Sequence, residues 1–197
     1  MDKFKIIHAI PVVFFIIITA QLSFSEKLTI KDYFEKLSRE YITHYGDYGP
    51  DECTKLFDFK NGYMAIIQHQ YKTEITIFEM TLFKKNNMET VIVISNRQQD
   101  PEWVSFETFW LKYKKNEWEN IAPDVLPLSL RTKSKRVSSC FHFKLPRYGT
   151  TIIFNLVECD IEPFDTFTAD EKKELSKVKK VKQIRWDNKN SKFVVVK

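Results

Sequence analysis

The chain has 197 residues, 43% of them apolar and 29% charged, with a formal net charge of +5. This mixture excludes a disordered polar tail and supplies enough apolar side chain for one domain with a core. So mild a charge disfavours a nucleic-acid binder, and 4 glycines in all disfavour Gly-rich phosphate cradles.

Lys3 and Lys5 introduce a run that is apolar from Ile6 to Ile18, apart from His8, and exits through Ser23-Phe24-Ser25. A basic start, an apolar middle and a small-x-small exit make a secretory signal peptide over residues 1–25, cut after Ser25. Residues 26–197 then form a single secreted or periplasmic domain. The alternative is an uncleaved N-terminal membrane anchor. The run is shorter than the ~20 apolar residues of a spanning helix, and Pro11 interrupts it. No later stretch reaches spanning length, so no transmembrane span is expected after cleavage.

Thr29 followed three residues on by Asp32 resembles a capping box. Ile30, Tyr33, Phe34, Leu37, Tyr41, Ile42 and Tyr45 then mark one helical face, which predicts a helix from Ile30 to Tyr45 with Gly46 as its stop. From Lys55 the period changes to two. Leu56–Phe59 and Tyr63–Ile67 flank Asn61-Gly62, a strong hairpin signal. Ile75–Phe83 with Met88–Ser95, and Phe106–Tyr113 with Trp118–Ile121, flank Lys/Asn turns. Pro123–Arg136 reads as a long, Pro-broken, mobile loop. Cys140–Leu145 and Thr151–Cys159 form a further hairpin, and Val181–Trp186 with Phe193–Val196 the last. Between these two, Thr168 and Glu171 open a short surface helix to about Val178, anchored by Leu175 and Val178.

The oxidising compartment makes a disulfide the first expectation for Cys53, Cys140 and Cys159. Alternation sets Phe141 and Phe143 inward and Cys140, His142 and Lys144 outward. A turn centred on Gly149-Thr150 places Cys140 opposite Cys159, but it puts Pro146 where its missing N–H is costly. A turn at Tyr148-Gly149 relieves Pro146 and moves the cysteines out of line. Cys140–Cys159 is therefore the candidate bridge, with Cys53–Cys159 as the alternative.

No cysteine has a partner at zinc spacing, and no metal, cofactor or catalytic residue is assigned. A Cys140–His142 nucleophile pair lacks an orienting third group, so a structural role is preferred. Glu102, Glu107, Glu117 and Glu119 lie near Trp103, Trp110 and Trp118, a composition that could suit sugars; strand aromatics facing a core are the simpler account. The basic tracts Arg131–Arg136 and Lys172–Lys182 read as solvated surface rather than as sites for anionic lipid or polysaccharide.

These readings give an α+β fold: an N-terminal amphipathic helix packed on a curved antiparallel β-sheet, open barrel or sandwich built of successive hairpins. Functionally they point to an exported, non-enzymatic binding module whose partner is an envelope or extracellular protein. Its contacts would come from loop tips such as Pro146–Gly149 and from the mobile segment around residues 123–136, with Arg147, Tyr148, Arg131, Lys133, Lys135 and Arg136 as candidates. The alternative is a hydrolase acting on polysaccharide through dispersed carboxylates. That reading requires Glu107 or Glu119 to meet a second acid in a Trp-lined cleft.

Overall fold

The computed structural model describes residues 28–42, 53–70, 74–84, 89–101, 104–156 and 166–196. Residues 1–25, expected to be a signal peptide, and His44 to Gly46, Glu102, Trp103 and Cys159 lie outside them. All five hairpins form, and among the described residues ten antiparallel strands divide into two sheets. The first is a six-stranded meander of β1 (Cys53–Asp58), β2 (Tyr63–Gln70), β3 (Glu74–Lys84), β4 (Thr90–Gln99), β5 (Val104–Lys114) and β6 (Glu117–Asn120). The second contains β7 (Phe141–Lys144), β8 (Thr151–Leu156), β9 (Gln183–Asp187) and β10 (Lys192–Val195), in the order β10-β9-β8-β7. Neither sheet closes on itself, and the two share a core.

Turn chemistry sets the first sheet's register. Gly62 has φ +61°, and the Asp58 carboxylate accepts from the Asn61 backbone N–H at 3.2 Å, tightening the β1–β2 loop. Lys115 and Asn116 both have positive φ, as a two-residue hairpin turn requires if it is to match strand twist.

The first sheet is buried on both sides, which explains the continuous apolar run in β4. Val91 and Val93 join Tyr63, Ala65, Phe83 and Trp110 in a core shared with Phe143, Phe154, Ile184, Trp186 and Phe193 of the second sheet. Ile92 and Ile94 face the other way, with Met64, Ile66, Phe78 and Met80, beneath the N-terminal segment. The result is three layers, with the six-stranded sheet in the middle.

The N-terminal helix is shorter than its periodicity suggests. The capping box forms, with the Thr29 N–H donating to the Asp32 carboxylate at 2.6 Å, but α1 spans only Ile30–Glu35. The Trp118 indole N–H donates to the Lys36 carbonyl at 2.8 Å, taking the acceptor that the next helical turn would use. Ser38 is extended, and a single 3₁₀ turn follows at Arg39–Tyr41. The break lets both pieces pack on the sheet: Phe34 meets Phe78 at 5.6 Å and Tyr41 meets Phe109 at 5.1 Å between ring centroids.

The connection expected as a mobile loop is built of short turns: α2 (Ala122–Val125), a 3₁₀ turn at Leu128–Leu130, and α3 (Lys135–Ser139). Val125, Leu126, Leu130 and Val137 are buried in the inter-sheet core, so apolar burial anchors this segment despite its prolines. Helix α4 (Ala169–Val178) follows the second expected capping box, from Thr168 to Glu171, and buries Leu175 and Val178.

The β7–β8 register pairs Phe141 with Leu156 and Lys144 with Ile153, the alignment of a turn at Tyr148-Gly149. The register that would oppose Cys140 to Cys159 is not formed. Cys140 is also not an outward strand residue. It caps α3 and is 1% exposed, because strand alternation begins only after it, at Phe141.

Candidate functional site

The candidate site arises from a mismatch in strand length. Strand β6 pairs only with Leu111–Lys114 of β5, and the Ile121 N–H continues that line to the Trp110 carbonyl at 2.7 Å. Beyond Trp110, β5 pairs among the described residues with β4 on one side only. Consecutive residues Ser105 to Trp110 therefore line a cleft with their edge rather than with one face. The α2–α3 connection forms the opposite wall through Leu126, Leu130, Arg131 and Ser138. Phe141 and Phe143 of β7 complete the apolar side, with the Trp110 and Phe143 rings 5.3 Å apart at 87°. The cleft encloses about 770 Å³, within the roughly 300–1,000 Å³ typical of small-molecule sites.

Arg97 is the distinctive polar group of this wall. It projects from β4 opposite Phe106, and its guanidinium carbon lies 5.9 Å from the Phe106 ring centroid. One terminal nitrogen donates to the Gln99 side-chain oxygen, while the buried Nε has no acceptor among the described residues. His142, expected to face outward, instead lies over Phe106 at 4.7 Å. Burial, reinforced by the Arg97 and Lys144 charges, lowers its pKa to about 4, so it is neutral at pH 7. Further along the same face, the Tyr63 hydroxyl donates to Glu79 Oε1 at 2.6 Å, and burial raises the Glu79 carboxyl above its ordinary range.

The six loop residues expected to make contacts fall into three places. Arg147 is tied to Asp58 at 2.9 Å, and this contact holds the Asp58 carboxyl below its ordinary range; neighbouring Tyr148 is 67% exposed. Arg131 lines the cleft while its Nε donates to the Leu126 carbonyl at 2.8 Å. Lys133, Lys135 and Arg136 lie on or beside α3, against α4. The Lys133 backbone N–H donates to Glu174 at 3.3 Å, and the Arg136 guanidinium sits 4.7 Å from the Phe167 ring centroid and 3.7 Å from Glu171. The basic tract is thus docked on the helix that follows the hairpin. Sequence reading missed Arg97 and Gln99, because a polar pair at the end of an apolar strand resembles an ordinary solvent-exposed terminus.

Of the sugar-site residues, Glu107 and Trp110 do share the cleft. Glu107 is the one carboxylate among its described lining residues, and it points to the opposite face of β5 from Phe106 and Trp110. Neither Cys140 nor His142 lines the cleft. No helix among the described residues is long and apolar enough to cross a membrane. No family model, curated protein or solved structure matches the chain.

Proposed function

We propose that this is an exported, non-enzymatic binding module of the cell envelope or extracellular space, and that it holds its partner in the cleft between β5 and the α2–α3 connection. The cleft itself carries the reading: a ligand-sized concavity with an aromatic wall and a few polar groups is the usual form of a binding site. Of the two expected contact surfaces, this reading keeps the segment around residues 123–136, with Arg131, and drops the Pro146–Gly149 tip. The hydrolase alternative has less support, because glycoside hydrolysis needs two carboxyl groups flanking the scissile bond and the described cleft presents Glu107 alone.

A photo-crosslinking amino acid at Ser138, inside the cleft, is expected to capture a discrete partner from the native envelope. The same residue at Tyr148, on the β7–β8 tip, is expected to capture little. Equal capture at both positions, or capture at Tyr148 alone, would sink the cleft assignment.

The Cys140–Cys159 bridge belongs to the same proposal. Cys53 is the free thiol among the described residues, which leaves Cys140 for a bridge; Cys159 lies outside them. Alkylation of the denatured, unreduced protein is expected to label Cys53 and spare the other two cysteines. Labelling of Cys140 would refute the pairing.

A further inference from the structure

We propose that the cleft takes an amphipathic monoanion, a carboxylate with an apolar tail, whose head is held by Arg97 and whose tail lies along Trp110, Phe141 and Phe143. The inference rests on the binding reading above and gives it a ligand class.

A buried N–H without an acceptor is costly, about 1–3 kcal/mol, and more for a charged group. Arg97 carries such a donor at Nε, in the wall of a cleft large enough for a ligand. Among the described residues its one hydrogen-bond partner is the neutral Gln99 amide oxygen, and none of them places a carboxylate on the guanidinium. Guanidinium and carboxylate match as two parallel N–H···O bonds. A carboxylate held by the terminal guanidinium nitrogens would pair the charge, and a small swing of the side chain would bring Nε, which is enclosed in this structure, into the same fork.

The surrounding charges favour the same ligand sign. Arg131 stands on the opposite wall, and Lys144 acts electrostatically on the same face as Arg97. The carboxyl on that face, Glu79, is already engaged by Tyr63. Glu107, the acid of the cleft lining, alternates to the other face of β5. Beyond these charges the described lining is neutral: short polar side chains such as Ser105, Thr108 and Ser138, and an apolar part formed by Trp110, Phe141, Phe143, Leu126 and Leu130. An apolar tail is what that part can desolvate, at roughly 25 cal/mol per Å² of buried surface.

The test is isothermal titration of the purified full chain with laurate, lauryl alcohol and butyrate. Laurate is expected to bind about tenfold tighter than lauryl alcohol, the equivalent of one charge-assisted hydrogen-bonded pair. Butyrate, lacking the tail, should show no binding. Arg97→Met should reduce laurate to the level of the alcohol without lowering the thermal midpoint. Thr132→Trp, which fills the cleft, should abolish binding of both long-chain probes. If Arg97→Met fails to fold, Arg97→Gln replaces it, and the laurate-to-alcohol ratio of the wild type needs no variant at all.

Equal affinity for laurate and lauryl alcohol would overturn the anion site yet leave a functioning apolar cleft. Binding that survives Thr132→Trp would place the amphiphile elsewhere and overturn the inference. No binding of either long-chain probe would also overturn it, while crosslinking at Ser138 decides the wider reading independently.

Discussion

Trp110→Ala is expected to cost about 3–5 kcal/mol, the range for truncating a large buried aromatic and a large fraction of the ~5–15 kcal/mol that stabilises a typical domain. The side chain is 2% exposed and lies where the two sheets meet. It contacts Phe143 of β7 at 5.3 Å and Phe193 of β10 at 5.0 Å, both edge-to-face. Phe193 in turn packs on Phe83 at 4.9 Å and Trp186 at 5.0 Å. Removing the indole therefore empties the centre of an aromatic cluster fed by β3, β5, β7, β9 and β10. Rigid neighbours in such a cluster collapse poorly into the void, which places the cost toward the upper end. Trp110→Phe retains the ring contacts and should cost about half as much or less. Urea denaturation followed by far-UV circular dichroism measures both. A loss below about 1 kcal/mol for the alanine variant would mean that the two sheets do not share one core.

The strands were legible in the sequence because their signals are local. Asn61-Gly62 and Lys115-Asn116 carry the turn chemistry, and alternation on either side sets which residues face inward. The continuous run from Val91 to Ile94 also announces a strand buried on both faces, once a layer is known to lie on each side. The elements that were misread depend on partners distant in sequence. Lys36 ends its helix because an indole from residue 118 takes its carbonyl. Cys140 turns inward because a helical turn, not a strand, delivers it. Residues 123–136 read as a loop from their prolines and charges, yet four apolar side chains spaced through 125–137 anchor them between the sheets. The cleft was the least legible feature, since it exists only because β6 is shorter than β5 and the connection passes opposite the unpaired edge. Arg131, which its charge marks in the sequence, does line that cleft; Arg97 carries no comparable signal.

The Tyr63–Glu79 pair should make the protein's stability depend on pH in a way that separates two substitutions. Burial raises the Glu79 carboxyl above its ordinary 4.5, and the opposing pull of Tyr63, Lys144 and Arg97 does not cancel it. Over the interval between the unfolded and folded values the folded chain keeps a proton that the unfolded chain has released. The favourable contribution is thus complete below about pH 4.5 and is lost as pH rises through the folded value. Glu79→Gln removes the cost of burying the charge while keeping an acceptor for the Tyr63 hydroxyl. Its thermal midpoint should exceed the wild type's near pH 8, and the advantage should vanish near pH 4. Tyr63→Phe does the reverse, because it takes the donor away from a buried carboxylate. Its cost should be about 1.5–3 kcal/mol near pH 8, where the bond is to a charged group, and about 1 kcal/mol near pH 4, where it is to a neutral one. His142 titrates with the opposite sign: its contribution is present above about 6.5 and is lost as pH falls toward its folded value of about 4. It is common to wild type and variants, so it largely cancels in the differences. A Glu79→Gln difference that stays flat from pH 4 to pH 8 would show that Glu79 is not held in a desolvated site. The opposing slopes of the two variants are the signature of one hydrogen bond whose acceptor changes charge.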